Sequence, residues 1–337
     1  MKKSRSIMFI IIAVLFLVLS SCVSGKQEDL FTQVKNIPAK YYNSYSFNPE
    51  SSLETRIQET PDFILDYLKN MDNVDYYTSY SPTKDELEII ISYLDLLPHL
   101  NKEIMKEKLI GIYFISNFMG SGMADYVVDD ERNIYTMLFI NPDTLKVGMN
   151  EWMDYRENTC FIEENDGIRI EVECGDEYLG LLYLLLHEST HIVDYITSIT
   201  PYTEWTSSQI REEKINMDNI FIKGIWTDYR IQTKAYKKDF MGNVTFYGLS
   251  EGSKLKISDA EEIYNDLLET PFVSLYASQS WAEDLAELET WYHYTEILGQ
   301  PYEIVLYENN EIKKRYKPME NELVQERLSI LEQLYKE

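Results

Sequence analysis

The chain has 337 residues, of which 31 are basic and 57 acidic, so its formal net charge at pH 7 is −26. A chain this acidic is expected to repel nucleic acid and anionic lipid head groups, which excludes binding to either through a basic surface. Its length and its 45% hydrophobic content are sufficient for one large domain or two small ones.

Residues 1–22 have the pattern of a bacterial lipoprotein signal peptide. A basic head at residues 2–5 precedes an unbroken apolar run at residues 7–19, which is short for a membrane span but typical of a signal core. Leu19-Ser20-Ser21-Cys22 resembles a lipobox, in which the cysteine becomes the lipidated first residue of the mature protein. The alternatives are an ordinary secretory signal and an uncleaved anchor. In each case we expect the chain to act outside the cytoplasm, in the cell envelope or at the cell surface.

Lipidation of Cys22 would also decide how the chain contacts the membrane. Cleavage before Cys22 removes three of the 31 basic residues and no acidic one, so the mature charge becomes 28 − 57, or −29. We therefore expect the lipid, and not a basic surface, to hold the protein at the membrane. Residues 23–50 are polar and aperiodic and are predicted to form the tether, with residues 51–337 as the folded domain.

Patterns of both helix and strand predict an α+β fold, with a mixed or antiparallel sheet packed against helices. Residues 61–68 and 85–97 have helical patterns, and Thr83 with Glu86 forms a capping box before the second helix. Strands are predicted at residues 109–115 and 134–140, and either could be a sheet edge that binds a peptide, or both could be internal. The remaining predicted elements are a hairpin and a closing helix near the C-terminus, at residues 302–306, 311–316 and 321–335.

Cys160 and Cys174 flank a hairpin signal, Asn165-Asp166-Gly167, that would place them opposite one another. In an oxidising compartment they could form a disulfide worth about 3 kcal/mol. The alternatives are two free thiols and a metal site that includes histidine.

The segment His187-Glu188-Ser189-Thr190-His191 holds two of the four histidines of the chain, on a predicted helix at about residues 176–196. In a helix, residues four apart lie on one face, one turn apart, which suits two imidazoles binding one Zn²⁺. Glu188 would then lie beside the metal as the general base that takes a proton from water. The alternative is a core helix with two satisfied histidines.

A zinc held by two histidines needs a third protein ligand. Glu283 and Glu287 lie one turn apart at the start of a predicted helix, so one could bind the metal while the other hydrogen-bonds a ligating histidine. The simpler interpretation is that Ser280 and Glu283 form a capping box. Both interpretations can hold together. His293 lies off the face of Glu283 and is a second-choice ligand.

The two motifs together resemble the gluzincin class of zinc metallopeptidases, particularly the branch around anthrax lethal factor and related bacterial metallopeptidase domains. The resemblance rests on residues 187–191 and 283–287. It implies that Glu283 is the third ligand and that Tyr276, seven residues earlier, assists the transition state by donating to the oxyanion. It also matches Asp194, which we expect to support the site from behind the ligands or to have a structural role.

We therefore expect a lipid-anchored, extracytoplasmic zinc metallopeptidase of zincin-like α+β fold that acts on a peptide or protein substrate. The ligands would be His187, His191 and Glu283. The main alternative is a non-catalytic zinc-binding envelope lipoprotein with a binding or structural role. A further alternative is a zinc hydrolase acting on cell-wall peptides.

Overall fold

The computed structural model describes residues 28–164, 167–212, 214–247 and 252–334, and the predicted signal peptide with Cys22 lies outside these ranges. The fold is mixed α+β. In chain order the helices are α1 (Leu30–Lys35), α2 (Asp62–Asp72), α3 (Lys84–Leu96), α4 (His99–Lys108), α5 (Met149–Asn158), α6 (Gly180–Thr197), α7 (Trp205–Ile210), α8 (Ala260–Leu268), α9 (Trp281–Tyr292) and α10 (Glu322–Leu334). The strands are β1 (Ile57–Gln58), β2 (Thr78–Tyr80), β3 (Leu109–Ser116), β4 (Gly122–Val128), β5 (Ile134–Ile140), β6 (Phe161–Ile162), β7 (Ile168–Glu173), β8 (Trp226–Asp228), β9 (Ile231–Gln232), β10 (Leu255–Lys256), β11 (Glu303–Glu308) and β12 (Glu311–Tyr316).

The central sheet is mixed, with the strand order β1-β3-β5-β4 and β2 paired to β3. Strand β3 is parallel to β1 and β5, whereas β4 runs antiparallel to β5. Strands β3 and β5 are almost continuously apolar and buried, as expected for internal strands covered on both faces. The two strands predicted from the sequence are therefore internal ones.

The edge of this sheet next to the helix with the two histidines is β4, which the sequence patterns did not predict. A turn at Gly120, where φ is +80°, leads into it. At Gly122 an added Cβ would lie 2.6 Å from the Phe139 carbonyl oxygen and 2.6 Å from the Leu184 side chain. Only glycine therefore allows β4 to approach both β5 and α6 this closely.

Helix α6 is buried along nearly its whole length because its apolar residues face the sheet on one side and α9 on the other. It starts at Gly180, where a Cβ would meet the Trp152 ring at 2.7 Å, and ends at Ser198 in the left-handed conformation. The predicted start near residue 176 is four residues too early. The capping box of Thr83 and Glu86 before α3 is confirmed.

A second sheet has the order β12-β11-β7 and contains the predicted C-terminal hairpin of β11 and β12. The hairpin predicted around Cys160 and Cys174 is wrong. Strand β6 pairs with β10 and strand β7 pairs with β11, so the two cysteines are not cross-strand neighbours. Both are free, buried thiols in this structure, and the possible disulfide is not formed. Residues 165 and 166 of the predicted turn lie outside the described residues.

The tether predicted at residues 23–50 is wrong for the part that the structure describes, which begins at residue 28. Val34 and Ala39 are buried in apolar clusters, and Tyr41 forms a parallel bridge to Val128 of β4. Lys40 forms a buried ion pair with Asp125. The segment is polar in composition but folds because its few apolar residues and this ion pair dock on β4.

The helices of the described ranges are short or carry polar faces. None of the helices there combines the length and the apolar character needed to cross a bilayer.

Candidate metal centre

Three side chains from two helices converge at one point. His187 and His191 lie one turn apart on α6, and Glu283 lies in the first turn of α9. Oε2 of Glu283 is 3.1 Å from Nε2 of His187 and 3.3 Å from Nε2 of His191. The two Nε2 atoms are 3.2 Å apart. Within the described residues this is the one group of histidine, cysteine and acidic side chains with metal-ligand proximity.

These spacings fit a tetrahedral zinc site. Ligand atoms about 2.0–2.1 Å from a tetrahedral Zn²⁺ lie about 3.3–3.4 Å from one another. The three observed separations of 3.1, 3.2 and 3.3 Å are close to that value. Two imidazoles and one carboxylate are also a donor set that leaves a fourth position for water.

The start of α9 shows why Glu283 is held in place. Ser280 is the N-cap residue, and its side chain accepts a hydrogen bond of 3.2 Å from the Glu283 backbone N–H. The carboxylate of Glu283 is directed at the histidines. Only the N-cap half of the predicted capping box is formed, because the Glu283 side chain lies against the two histidines and is available as a candidate ligand.

Behind His187, the carboxylate of Glu287 is the acceptor of a buried hydrogen-bond network. His187 Nδ1 lies 3.1 Å from Glu287 Oε1, and Arg156 Nη1 donates to the same oxygen at 3.1 Å. Ser274 Oγ and Trp291 Nε1 donate to Oε2 at 2.6 and 3.2 Å. A hydrogen bond from Nδ1 leaves the Nε2 lone pair of His187 directed at Glu283 and His191.

In this network, burial and the neighbouring charged groups shift the pKa values in opposite directions. Burial would raise the pKa of Glu287, but the Arg156 guanidinium and the His187 hydrogen bond outweigh it and hold that pKa below its usual range. Burial likewise favours a raised pKa for Glu283, and the two histidines lower it. Burial favours a lowered pKa for His187, yet its hydrogen bonds to both carboxylates raise it. The two carboxylates therefore favour positive charge at His187, whose ring lies between them.

One of the two roles expected for Asp194 was to support a ligating histidine. Asp194 makes no hydrogen bond to either histidine of the site. It accepts hydrogen bonds from the backbone and side chain of Thr200 and from the Thr203 hydroxyl. Nδ1 of His191 is buried and has no hydrogen-bond partner among the described residues. Asp194 therefore has the structural role, which is to fix the loop that follows α6.

Glu188 lies beside the three candidate ligands and is oriented by the edge strand. Its Oε2 accepts a hydrogen bond of 2.7 Å from the backbone N–H of Ala124 in β4, and the residue is 8% exposed. The carboxylate thus lies between the helix with the two histidines and the strand edge.

Tyr276 stacks on the ring of His187, with ring centroids 5.5 Å apart and an interplanar angle of 25°. Phe246 packs edge-on against it at 4.8 Å. Burial and the negative charges of Glu283 and Glu188 raise the pKa of Tyr276 well above its ordinary value. The hydroxyl therefore stays protonated and is a hydrogen-bond donor at any physiological pH.

The other two histidines lie elsewhere. His293 is buried against α3, where its Nε2 is 2.8 Å from the Leu96 carbonyl oxygen, so the second-choice ligand is not part of the site. His99 is exposed beside Glu103.

Several residues that build the site were missed by sequence reasoning. Arg156 and Tyr183 hold Glu287, the Ala124 backbone holds Glu188, and Phe246 holds Tyr276. Phe246 belongs to the long segment between His191 and Glu283, to which the sequence assigned no chemistry. No local sequence pattern marks an arginine in a helix as buried, and no pattern marks a backbone N–H as part of a site.

Comparison of the chain with protein-family models, with curated proteins and with solved structures gives no match.

Proposed function

We propose that this protein is a zinc-dependent peptidase of the gluzincin type with a zincin-like fold. The observation that carries the proposal is the convergence of His187, His191 and Glu283 at 3.1–3.3 Å, with the Glu188 carboxylate beside them. Zn²⁺ bound there would lower the pKa of water to about 7 and polarise a substrate carbonyl.

Glu188 is the general base in this proposal. It is nearly buried, so its carboxylate is poorly solvated, and the Ala124 N–H fixes one of its oxygens. The carboxylate accepts a proton from the attacking water and returns it to the leaving amine. Tyr276 donates its hydroxyl proton in a hydrogen bond to the oxygen that becomes negative in the tetrahedral intermediate.

The edge strand β4 favours a peptide as the substrate. The Ser121 carbonyl accepts from Asn141 N at 2.8 Å and so faces β5, whereas Ala124 N–H faces the opposite way, towards Glu188. Because strand residues alternate, the backbone of Gly122 also faces the open side. An extended peptide can add to this edge by main-chain hydrogen bonds and so present a carbonyl beside Glu188.

The same proposal includes an envelope location, with a lipid on Cys22 as the membrane anchor. It is supported by the signal-like residues 1–22 of the sequence. Labelled fatty acid should be incorporated into the wild-type chain expressed in bacteria but not into Cys22→Ala. Equal labelling of both chains would refute the anchor.

Substitution of Glu188 by glutamine tests the mechanism. Glu188→Gln should retain zinc, since the three ligands are unchanged, and should lose peptide hydrolysis by about 10²–10⁴-fold. Glu103→Gln on exposed α4 is a matched control and should keep full activity. Unchanged turnover in Glu188→Gln would refute the mechanism, and zinc binding without turnover in the wild type would favour the non-catalytic lipoprotein.

A further inference from the structure

A cavity of about 260 Å³ lies at the start of the edge strand β4. Five large apolar or aromatic side chains and the turn before β4 form its walls. The lining includes Phe118, Gly120, Trp152, Tyr155 and Tyr247. Sites for drug-sized ligands have volumes of roughly 300–1,000 Å³, so this cavity suits one side chain better than a whole ligand.

The polar groups of the cavity already have partners. Trp152 Nε1 donates to Ser121 Oγ at 3.1 Å, and Tyr247 OH lies 2.6 Å from the same oxygen. The Asn141 amide donates to the carbonyls of Phe118 and Gly120.

Charge is also compensated at the rim of the cavity. There Asp143 pairs with Lys146 at 2.8 Å. An aromatic ring in the cavity would gain apolar burial and ring contacts, and it would leave these hydrogen bonds and this ion pair in place.

A chain of ring contacts joins the cavity to the candidate metal centre. Tyr247 contacts Phe246, Phe246 contacts Tyr276 at 4.8 Å, and Tyr276 stacks on His187 at 5.5 Å. Along the strand, Gly120 and Gly122 are four and two residues before Ala124, whose N–H holds Glu188. Of these two glycines only Gly120 lines the cavity, so at about 3.3 Å per residue the cavity lies about 13 Å from Ala124 along the strand.

The rest of the edge is occupied. Lys40 forms its ion pair with Asp125 and lies 3.7 Å from the centroid of the Tyr126 ring, and Tyr41 pairs with Val128. The N-terminal segment thus covers the second half of β4. The open half is the one that leads to the cavity, so a peptide bound on β4 must run past its mouth.

We propose that this cavity is a specificity pocket that takes an aromatic side chain of a bound peptide, about four residues from the cleaved bond. The proposal rests on the proposed peptidase function. It assigns substrate selection to Tyr155, which is 55% exposed at the mouth and whose ring lies 6.0 Å from those of both Trp152 and Tyr247.

Binding of a small probe tests the pocket without turnover. We would measure by NMR titration the affinities of N-acetylphenylalaninamide and N-acetylalaninamide for the wild type and for Tyr155→Ala. We expect the phenylalanine probe to bind about tenfold more tightly to the wild type, and this preference to fall about fivefold in Tyr155→Ala. Tyr155→Phe keeps the ring and should keep the preference.

Tyr76→Ala is the matched control, because Tyr76 is also half exposed but does not line the cavity. The same four proteins would then be tested for cleavage of peptides that carry Phe or Ala at each of the five positions on either side of the bond. Two results would refute the pocket without refuting the peptidase. One is cleavage whose preference for Phe over Ala does not depend on Tyr155, and the other is equal binding of both probes. Tyr155-dependent probe binding without any cleavage would refute the peptidase and the role of the pocket in substrate selection, and would leave only a binding site for aromatic side chains.

Discussion

Nδ1 of His187 lies 3.1 Å from Oε1 of Glu287, and Arg156 Nη1 donates to the same oxygen at 3.1 Å. Glu287 therefore fixes both the ring orientation and the tautomer of His187, while Arg156 keeps Glu287 ionised. We therefore expect the affinity of the proposed site for a metal to depend on this second carboxylate as well as on the three candidate ligands.

Glu287→Gln should lower zinc affinity about 10–100-fold, because an amide is a weaker acceptor for the His187 N–H. Competition with a chelator measures the effect. Glu296→Gln, on an exposed residue just after α9, is the control and should leave the affinity unchanged. Equal affinities in all three proteins would show that Glu287 does not support the ligand.

Tyr276→Phe should leave zinc content and fold unchanged and reduce kcat about 10²-fold, because only the oxyanion donor is lost. The stacking on His187 is kept, since phenylalanine has the same ring. Steady-state kinetics on a cleaved peptide provide the measurement. A rise in KM with kcat unchanged would instead assign Tyr276 to substrate binding.

Glu289 gives a prediction about stability. It is buried, and burial raises its pKa to about 8 despite a hydrogen bond from Thr190. The folded state therefore keeps a proton that the unfolded chain releases near its ordinary pKa of 4.5. The stability that this proton contributes is complete below pH 4.5 and is lost as the pH rises through about 8.

Glu289→Gln should therefore be more stable than the wild type above pH 8, by on the order of 4 kcal/mol, and similar to it at pH 4.5. Urea denaturation across this pH range checks the expectation. The exposed Glu103→Gln is the control and should follow the wild-type curve. Parallel curves for Glu289→Gln and wild type would mean that Glu289 is ionised in the folded protein.

Cys160 and Cys174 should react as two free thiols. Both are buried, and burial raises the pKa of each well above its ordinary value, so neither should be alkylated in the native protein. Unfolding without reductant should expose both to alkylation, as mass spectrometry would report. If alkylation required a reductant, the disulfide would be present after all.

The parts of the site that could be predicted from the sequence depend on the spacing of residues within a single helix. His187 and His191 share a helix face because they are four residues apart, and Ser280 caps the helix that carries Glu283. Each is a property of a single helix. His191 and Glu283 are 92 positions apart in the sequence. Their proximity was inferred from the chemistry of the site, and the observed distance and the packing of α9 against α6 agree with it.

Strand pairing and docking could not be predicted in the same way. The turn signal between β6 and β7 suggested a hairpin, but β7 pairs with β11, more than a hundred residues later in the chain. The docking of residues 28–50 on β4 was missed for the same reason. Their partners lie far away in sequence, and a local pattern does not encode long-range register.

Metal analysis of the purified full chain tests the central claim most directly. Glu283→Ala removes the third ligand but keeps the backbone N–H that Ser280 caps, so the helix should remain. The account predicts about one zinc per wild-type chain and loss of that zinc in Glu283→Ala, with Glu296→Gln unchanged. Wild-type protein without bound zinc, or equal zinc in all three proteins, would contradict it.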